Sequence, residues 1–361
     1  MSAEVRVAVI GGGAWGSYHL LAALSLERQG KAKLVGVATR TEASARALFE
    51  KYSIPTYTDY RELIATEAPD AVTIATPDHL HREIALHALA QGMHVLVEKP
   101  MDVSAAGCRE ILALADANDL LLQVDHHKRY DPCSVDVKHQ VEAGHLGTPY
   151  YGYAYMEDNI VVPTERLATW ANESSPFWFL GVHQFDLMRW VTGLEAVAVL
   201  ATGQRGKLSS QGVDTMDAVS ATIQWTGGFT CGIDVNWILP RNFEALVNQG
   251  FRLVGSEGIV ELDLQDRGSR YSFASTGTLT PNVYAFYPSI VGNEEYAGYF
   301  VEPIKHFLMN VAYLKSGGDL TRLAGTYPSG LDGLRAVEAA EAVDRSLREK
   351  RIVTIDEIRH T

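Results

Sequence analysis

Up to about residue 125 the chain alternates short apolar runs with amphipathic stretches. Strands are predicted at residues 5–10, 33–38, 71–75, 94–98 and 120–124, with helices between them beginning near residues 14, 41, 79 and 104. Such regular strand–helix alternation predicts an α/β domain whose parallel sheet is covered on both faces. After Tyr130-Asp131-Pro132 the pattern changes. A helix is predicted near residues 134–143, and later strict alternation takes over, with DAVSATIQW (217–225) and FTCGIDVNW (229–237) flanking Gly227-Gly228. Alternation about a Gly-Gly pair is the pattern of a β-hairpin, so the second half is expected to be α+β, with a large open, mostly antiparallel sheet. Helices return at residues 176–191, 302–314 and 330–349. The expected organisation is two continuous domains, 1–125 and 126–361, with no internal repeat and no low-complexity linker.

Composition narrows the class. A chain of 361 residues exceeds one core at about 100–200 residues per domain. Its 47% hydrophobic and 21% charged content is ordinary for a globular protein. No apolar run approaches the roughly 18–20 residues that span a bilayer, and the first hydrophobic run is a strand rather than a secretory signal, so a cytoplasmic location is expected. The formal charge of −13 repels nucleic acid and anionic lipid, which leaves a small uncharged or locally clamped substrate. Cys108, Cys133 and Cys231 lack C-x-x-C spacing, so buried thiols are expected rather than disulfides or a zinc site.

The chemistry begins where the first strand breaks into Gly11, Gly13 and Gly16, with Ala14 and Trp15 between the last two. G-x-G-x-x-G between a strand and a helix is the fingerprint of a Rossmann dinucleotide-binding domain. The first glycine permits the turn, the second lets the backbone approach a pyrophosphate, and the third lets helix and strand pack closely. About 20 residues further on, NAD-binding folds usually place a carboxylate that accepts from the ribose hydroxyls. Here Thr39-Arg40 stands at that point, and a hydroxyl followed by a guanidinium suits the 2′-phosphate of NADP. The other reading is a solvated Arg40 with ribose contacts from elsewhere, Glu42 among them. Glu98-Lys99-Pro100 closes the strand at 94–98, and the proline restricts Lys99 to extended geometry that aims its amine reproducibly. The pairs His79/His81 and His126/His127 lack further ligands at metal spacing, so no metal is expected.

These motifs, taken with TPDHLH, KRYDP, GVHQFDLMRWVTG and the closing helix LRAVEAAEAVDRSLREKRIV, resemble the glucose–fructose oxidoreductase/inositol dehydrogenase (Gfo/Idh/MocA) family in order and over nearly the whole chain. The resemblance implies a nicotinamide-dependent oxidoreductase acting on a sugar, cyclitol or related polyol, with NADP or NAD as cofactor. It implies that Thr76, Pro77, His79, His81, Glu98 and Pro100 lie along the cofactor, that Pro100 is cis, and that Lys99 touches substrate near the nicotinamide. His127 and Lys128 would lie nearer the substrate. The open second sheet would supply a substrate wall and an interface for a homodimer or homotetramer.

His183, in G-V-H-x-x-D, is the expected acid–base residue, and Asp186 either orients its imidazole or caps and packs the helix. Many relatives carry an aspartate four residues before this histidine. This chain has Phe179 there, which removes the usual carboxylate and presents a ring to the substrate side. Tyr155 and Trp170, like Tyr153, Trp178 and Trp237, either stack on a sugar face or pack in the core. At pH 7 about one free lysine in 2,500 is neutral whereas a histidine is mostly neutral, so His183 is the better base and Lys99 the donor to the reacting oxygen, with a direct proton-transfer role for Lys99 also open. Two other classes fit the same motifs. One is a glycosidase that transiently oxidises its sugar with bound NAD, and the other is a non-enzymatic sugar- or dinucleotide-responsive regulator.

Overall fold

The computed structural model describes residues 4–266, 268–275, 277–288 and 295–360. The chain divides into two compact units, Met1–Tyr130 with Ala285–Leu334, and Asp131–Tyr284 with Arg335–Thr361.

In the first unit β1 (Val5–Ile10), β2 (Ala32–Ala38), β3 (Thr56–Tyr57), β4 (Ala71–Ile74), β5 (His94–Val97) and β6 (Leu122–Val124) form a parallel sheet in the order β3-β2-β1-β4-β5-β6. This is the doubly wound dinucleotide-binding order. The helices α1 (Ala14–Arg28), α2 (Glu42–Tyr52), α3 (Tyr60–Glu67), α4 (His81–Ala90) and α5 (Ala105–Ala117) lie between successive strands. Side chains of Thr41, Asp59 and Ser104 accept from backbone N–H groups and start α2, α3 and α5. The helix expected from residue 79 begins at His81, after a 3-10 turn at Asp78–Leu80, while β3 and α3 have no counterpart in the sequence reading.

The domain boundary differs from the expected one. Helix Glu302–Lys315 places Ile304, Phe307, Leu308 and Val311 in one core with Val7 and Val9 of β1 and Leu20 and Leu26 of α1. Each such side chain contributes about 1.5–3 kcal/mol on burial, which binds residues 285–334 to the dinucleotide unit instead of the second domain. Periodicity reveals an apolar helix face; it carries no information on which distant sheet that face covers.

In the second unit β7 (Pro149–Asn159), β8 (Ala196–Gln204), β9 (Ala218–Trp225), β10 (Thr230–Leu239), β11 (Val247–Gly255), β12 (Ile259–Asp263) and a short strand Val353–Thr354 form one sheet ordered β12-β11-β7-β10-β9-β8-Val353–Thr354. Only β7 and β10 pair in parallel. The β9–β10 turn holds Gly227 and Gly228 at φ +74° and +85°, a conformation that favours glycine. Val219, Ala221, Ile223 and Trp225 of β9 are buried while Ser220, Thr222 and Gln224 are exposed, so one face carries the core and the other is open. The unit also contains α6 (Pro132–Glu142) and α7 (Val182–Thr192). The single helix expected at 176–191 is instead a π-helical turn, Phe177–Gly181, followed by α7, with the Val182 N–H donating to Phe177 O. A Cβ at Gly181 would stand 2.6 Å from the Phe177 ring, so glycine lets that ring fold under the turn. Among the described residues no helix is long and apolar enough to cross a membrane.

Candidate active site

The glycine loop of the first unit has the geometry its spacing predicts. A Cβ on Gly11, at φ +107°, would meet the Ala75 carbonyl oxygen at 2.2 Å, and one on Gly16 would meet the Gly11 oxygen at 1.8 Å. Gly13 has nothing within 4 Å of a Cβ position and caps α1 with no side-chain hydrogen bond. The first N–H groups of α1 thus face open space, the arrangement that receives a diphosphate. Thr76 adds a buried Oγ1 without a hydrogen-bond partner among the described residues, next to Gly11. These residues fit NAD(P), whose pyrophosphate Gly11–Gly16 would hold.

At the end of β2, Thr39 lies against Gly12 and its N–H donates to Tyr57 O, and the Thr41 hydroxyl is engaged by α2. Arg40 and Glu42 are the exposed charged groups there. At the end of β4, His79 is exposed, whereas His81 is fully buried with its ring nitrogens 2.8 Å from Pro100 O and 2.9 Å from Thr76 O. His81 thus ties the Thr76-Pro77 loop to the segment after β5. Lys99 is only 3% exposed, and its peptide to Pro100 is cis. Burial pushes the Asp78 carboxyl up against the opposing charges of His81 and Lys99.

Glu98 Oε1 stands 3.2 Å from His19 Nε2, and Asp125 Oδ2 lies 3.8 Å from the same nitrogen. The His79/His81 and His126/His127 pairs build no three-ligand group among the described residues. The group that could hold a metal by distance is His19, Glu98 and Asp125, within 4.8 Å of one another.

An aromatic wall stands beside the glycine loop. Trp15 packs edge-on to Phe300 at 4.7 Å and meets His127 at 5.5 Å, and His127 stacks on Tyr299 at 5.7 Å. Burial, with the charges of Lys128 and Lys99, holds the His127 pKa well below the usual value. Lys128 is also buried, and its Nζ donates to the Tyr299 hydroxyl at 3.0 Å.

In the second unit His183 is 3% and Asp186 1% exposed on the first turns of α7, and the intervening Gln184 donates to Tyr155 O at 3.0 Å. Phe179 contacts Trp170 and Trp237, with centroids 6.0 and 5.7 Å away, so an aromatic row occupies the place of the missing carboxylate. Trp237 is fully buried and Trp178 donates from Nε1 to Asp344, which makes both packing residues. Tyr155 is half-buried, and burial raises its pKa.

The sequence reading did not single out His19, Asp78, Asp125, Tyr299 or Phe300. His19 follows Gly16 by three positions and so shares its helix face, and Asp125 ends β6 as Glu98 ends β5, both usable signals. Tyr299 and Phe300 carry no local signal, because they reach the loop through the returning segment.

The family description "Oxidoreductase family, NAD-binding Rossmann fold" matches residues 5–126, and the GFO/IDH/MocA C-terminal domain matches residues 135–261. Inositol 2-dehydrogenase 1 of Saccharopolyspora erythraea is 30% identical over 273 residues, covering 72% of this chain and 74% of that protein. Inositol 2-dehydrogenase of Rhizobium meliloti is 26% identical over 97% of this chain and 99% of its own length. The crystal structure of scyllo-inositol dehydrogenase from Lactobacillus casei with bound NAD(H) and scyllo-inositol has the same fold, with TM-score 0.79 at 18% identity over 98% of this chain and 100% of that one. Matched in both domains, the chain belongs to the GFO/IDH/MocA family of NAD(P)-dependent oxidoreductases.

Proposed function

We propose that this protein is a cyclitol or sugar dehydrogenase that interconverts a secondary hydroxyl and a ketone. The observation that carries the reading is Lys99, an amine buried at the carboxyl end of β5, in the crevice where doubly wound sheets bind ligands and in the same unit as the glycine loop. The names of the two inositol dehydrogenase relatives favour a cyclitol as the first substrate to try.

NAD(P), when bound, accepts the hydride from carbon. The chain must then remove the hydroxyl proton and stabilise the developing alkoxide. Lys99 hydrogen-bonds the reacting oxygen and offers it positive charge, and His183 takes the proton as general base, since neutral imidazole is abundant at neutral pH. His127 and Lys128 act on the substrate side through the aromatic wall they brace, while Trp170 and Phe179 supply apolar contacts; Tyr155 stacks on Tyr153 on the open face of the second sheet, opposite the face on which Phe179 meets Trp237, and is not assigned to the substrate. Arg40, beside Thr39 at the point where NAD-binding folds usually carry the ribose-binding carboxylate, favours NADP over NAD. The open face of the second sheet, with Tyr151, Tyr153 and Leu200 exposed, supports a homodimer or homotetramer.

A panel of cyclitols, monosaccharides, sugar acids and glycosides, assayed with NAD and NADP by nicotinamide absorbance and product mass, tests the reading. A ketone appearing in step with reduced cofactor supports it. Cleavage of a glycoside without net reduction, or cofactor binding without turnover of any member, overturns it.

A further inference from the structure

We propose that His19, Glu98 and Asp125 act as one proton-sharing unit beside Lys99, in which Asp125 is a positioning residue that donates a hydrogen bond to the Glu98 carboxylate and so sets the negative charge that Lys99 faces. The inference rests on the reading of Lys99 given above.

Three elements of one unit build the cluster. His19 comes from α1, Glu98 follows β5 and Asp125 follows β6, where its N–H donates to Val97 O at 2.8 Å. The side chains of His19, Glu98 and Asp125 are 1, 6 and 2% exposed. His19 Nδ1 has no partner among the described residues, which favours the tautomer that carries its hydrogen on Nε2 and donates it to Glu98. Ligand atoms of the two carboxyl groups and His19 lie within 4.8 Å of one another, and two buried carboxylates that close, facing one imidazole, cannot both ionise without a large cost.

The geometry assigns the proton to Asp125, because His19 Nε2 is 3.2 Å from Glu98 and 3.8 Å from Asp125, so the imidazole donor serves Glu98 and leaves Asp125 Oδ1 without one among the described residues. Burial, then the Glu98 charge, drives the Asp125 carboxyl well up. Burial also opposes ionisation of Glu98, but the His19 hydrogen bond and the charge of Lys99 work against it and leave Glu98 below the usual range. The other titratable groups facing the cluster are Lys99, Asp78 after β4, and His127 and Tyr130 after β6. With Asp125 neutral, the pair presents one negative charge to Lys99, already shared among His19, Asp125 and the Lys99 backbone N–H, which donates to Glu98 Oε2 at 3.3 Å. A Glu98 stripped of the Asp125 donor would hold the ammonium more tightly and delay its loss of a proton.

Infrared spectroscopy of the full-length protein at pH 7 reads this directly. The wild-type minus Asp125→Asn difference spectrum cancels the carboxyl groups common to both proteins and should show a protonated-carboxyl band, present also in a Lys99→Ala background. In kinetics, Asp125→Ala should lower turnover about tenfold and move the alkaline limb of the pH profile up by about one unit, whereas Asp125→Asn, whose amide still donates, should recover much of the loss. Absence of the band, or an Asp125→Ala profile identical to wild type, overturns the inference. So does Zn²⁺ or Mn²⁺ binding by calorimetry that Asp125→Asn abolishes, since the cluster would then be a metal site. The band does not depend on Lys99 catalysis, so a missing band defeats this inference alone, while full turnover by Lys99→Ala defeats the reading on which it rests.

Discussion

Lys128 and Tyr299 lie 171 residues apart in the chain, yet the lysine Nζ donates to the tyrosine hydroxyl at 3.0 Å and stands 4.5 Å from the ring centroid. The contact brings the returning segment to the aromatic wall of the dinucleotide unit. Tyr299→Phe keeps the ring and loses the hydrogen bond to a charged group, so it should cost about 1.5–3 kcal/mol in urea unfolding. Tyr299→Leu should cost a further ~0.5–2 kcal/mol by removing the cation–π contact. Unchanged midpoints in both variants would show that the segment is not held through this pair.

The proposed preference for NADP rests on Arg40. Arg40→Ala should weaken NADP binding by about 1.5–3 kcal/mol, the scale of a charge-assisted hydrogen bond, and leave NAD nearly unchanged. Calorimetric titration with each cofactor checks this, and equal losses for both would move the ribose contacts to another residue, Glu42 first.

His127 gives the fold a pH dependence of known sign. Its folded pKa is depressed, first by burial, so its contribution is complete above the unfolded value of about 6.5. As pH falls below that value the unfolded chain takes up a proton that the folded protein refuses, and stability declines by at most ~1.4 kcal/mol per pH unit for this one group. Thermal unfolding of His127→Gln between pH 7.5 and 5 should show a flatter decline than wild type. Parallel curves would mean that His127 is protonated without cost in the folded state.

In the proposed mechanism His183 and Phe179 set the acid limb of activity. The profile of the oxidation should rise with a midpoint near 6–7, and His183→Ala should remove that limb. Phe179→Asp should shift the limb to higher pH, because a carboxylate favours the charged imidazole, and should also lower stability by placing a charge between Trp170 and Trp237. If neither substitution altered the profile, the base would lie elsewhere, with Lys99 itself the next group to test.

What could be read from the sequence follows the range of the interactions. The glycine loop and Lys99 are legible because strand, turn and helix are neighbours in the chain, and the order of apolar runs already implies a parallel sheet. The π turn at Phe177–Gly181 is not legible, since a shift from four-residue to five-residue hydrogen bonding leaves the apolar positions almost unchanged. His19 and Asp125 look ordinary until folding brings them to Glu98. The assignment of residues 285–334 is missed for the same reason, because Phe307 and Leu308 reveal their partners only in the assembled core.

The most direct test of the central claim compares the wild-type protein with Lys99→Ala on whichever polyol of the panel reduces the cofactor. Nicotinamide absorbance after rapid mixing and cofactor affinity by calorimetry are measured on both. The account predicts that the variant binds the cofactor as wild type does, because the glycine loop is untouched, and reduces it about 10²–10⁴ times more slowly. Near-normal reduction by a folded Lys99→Ala variant, or no reduction by the wild-type protein with any polyol and either cofactor, would contradict it.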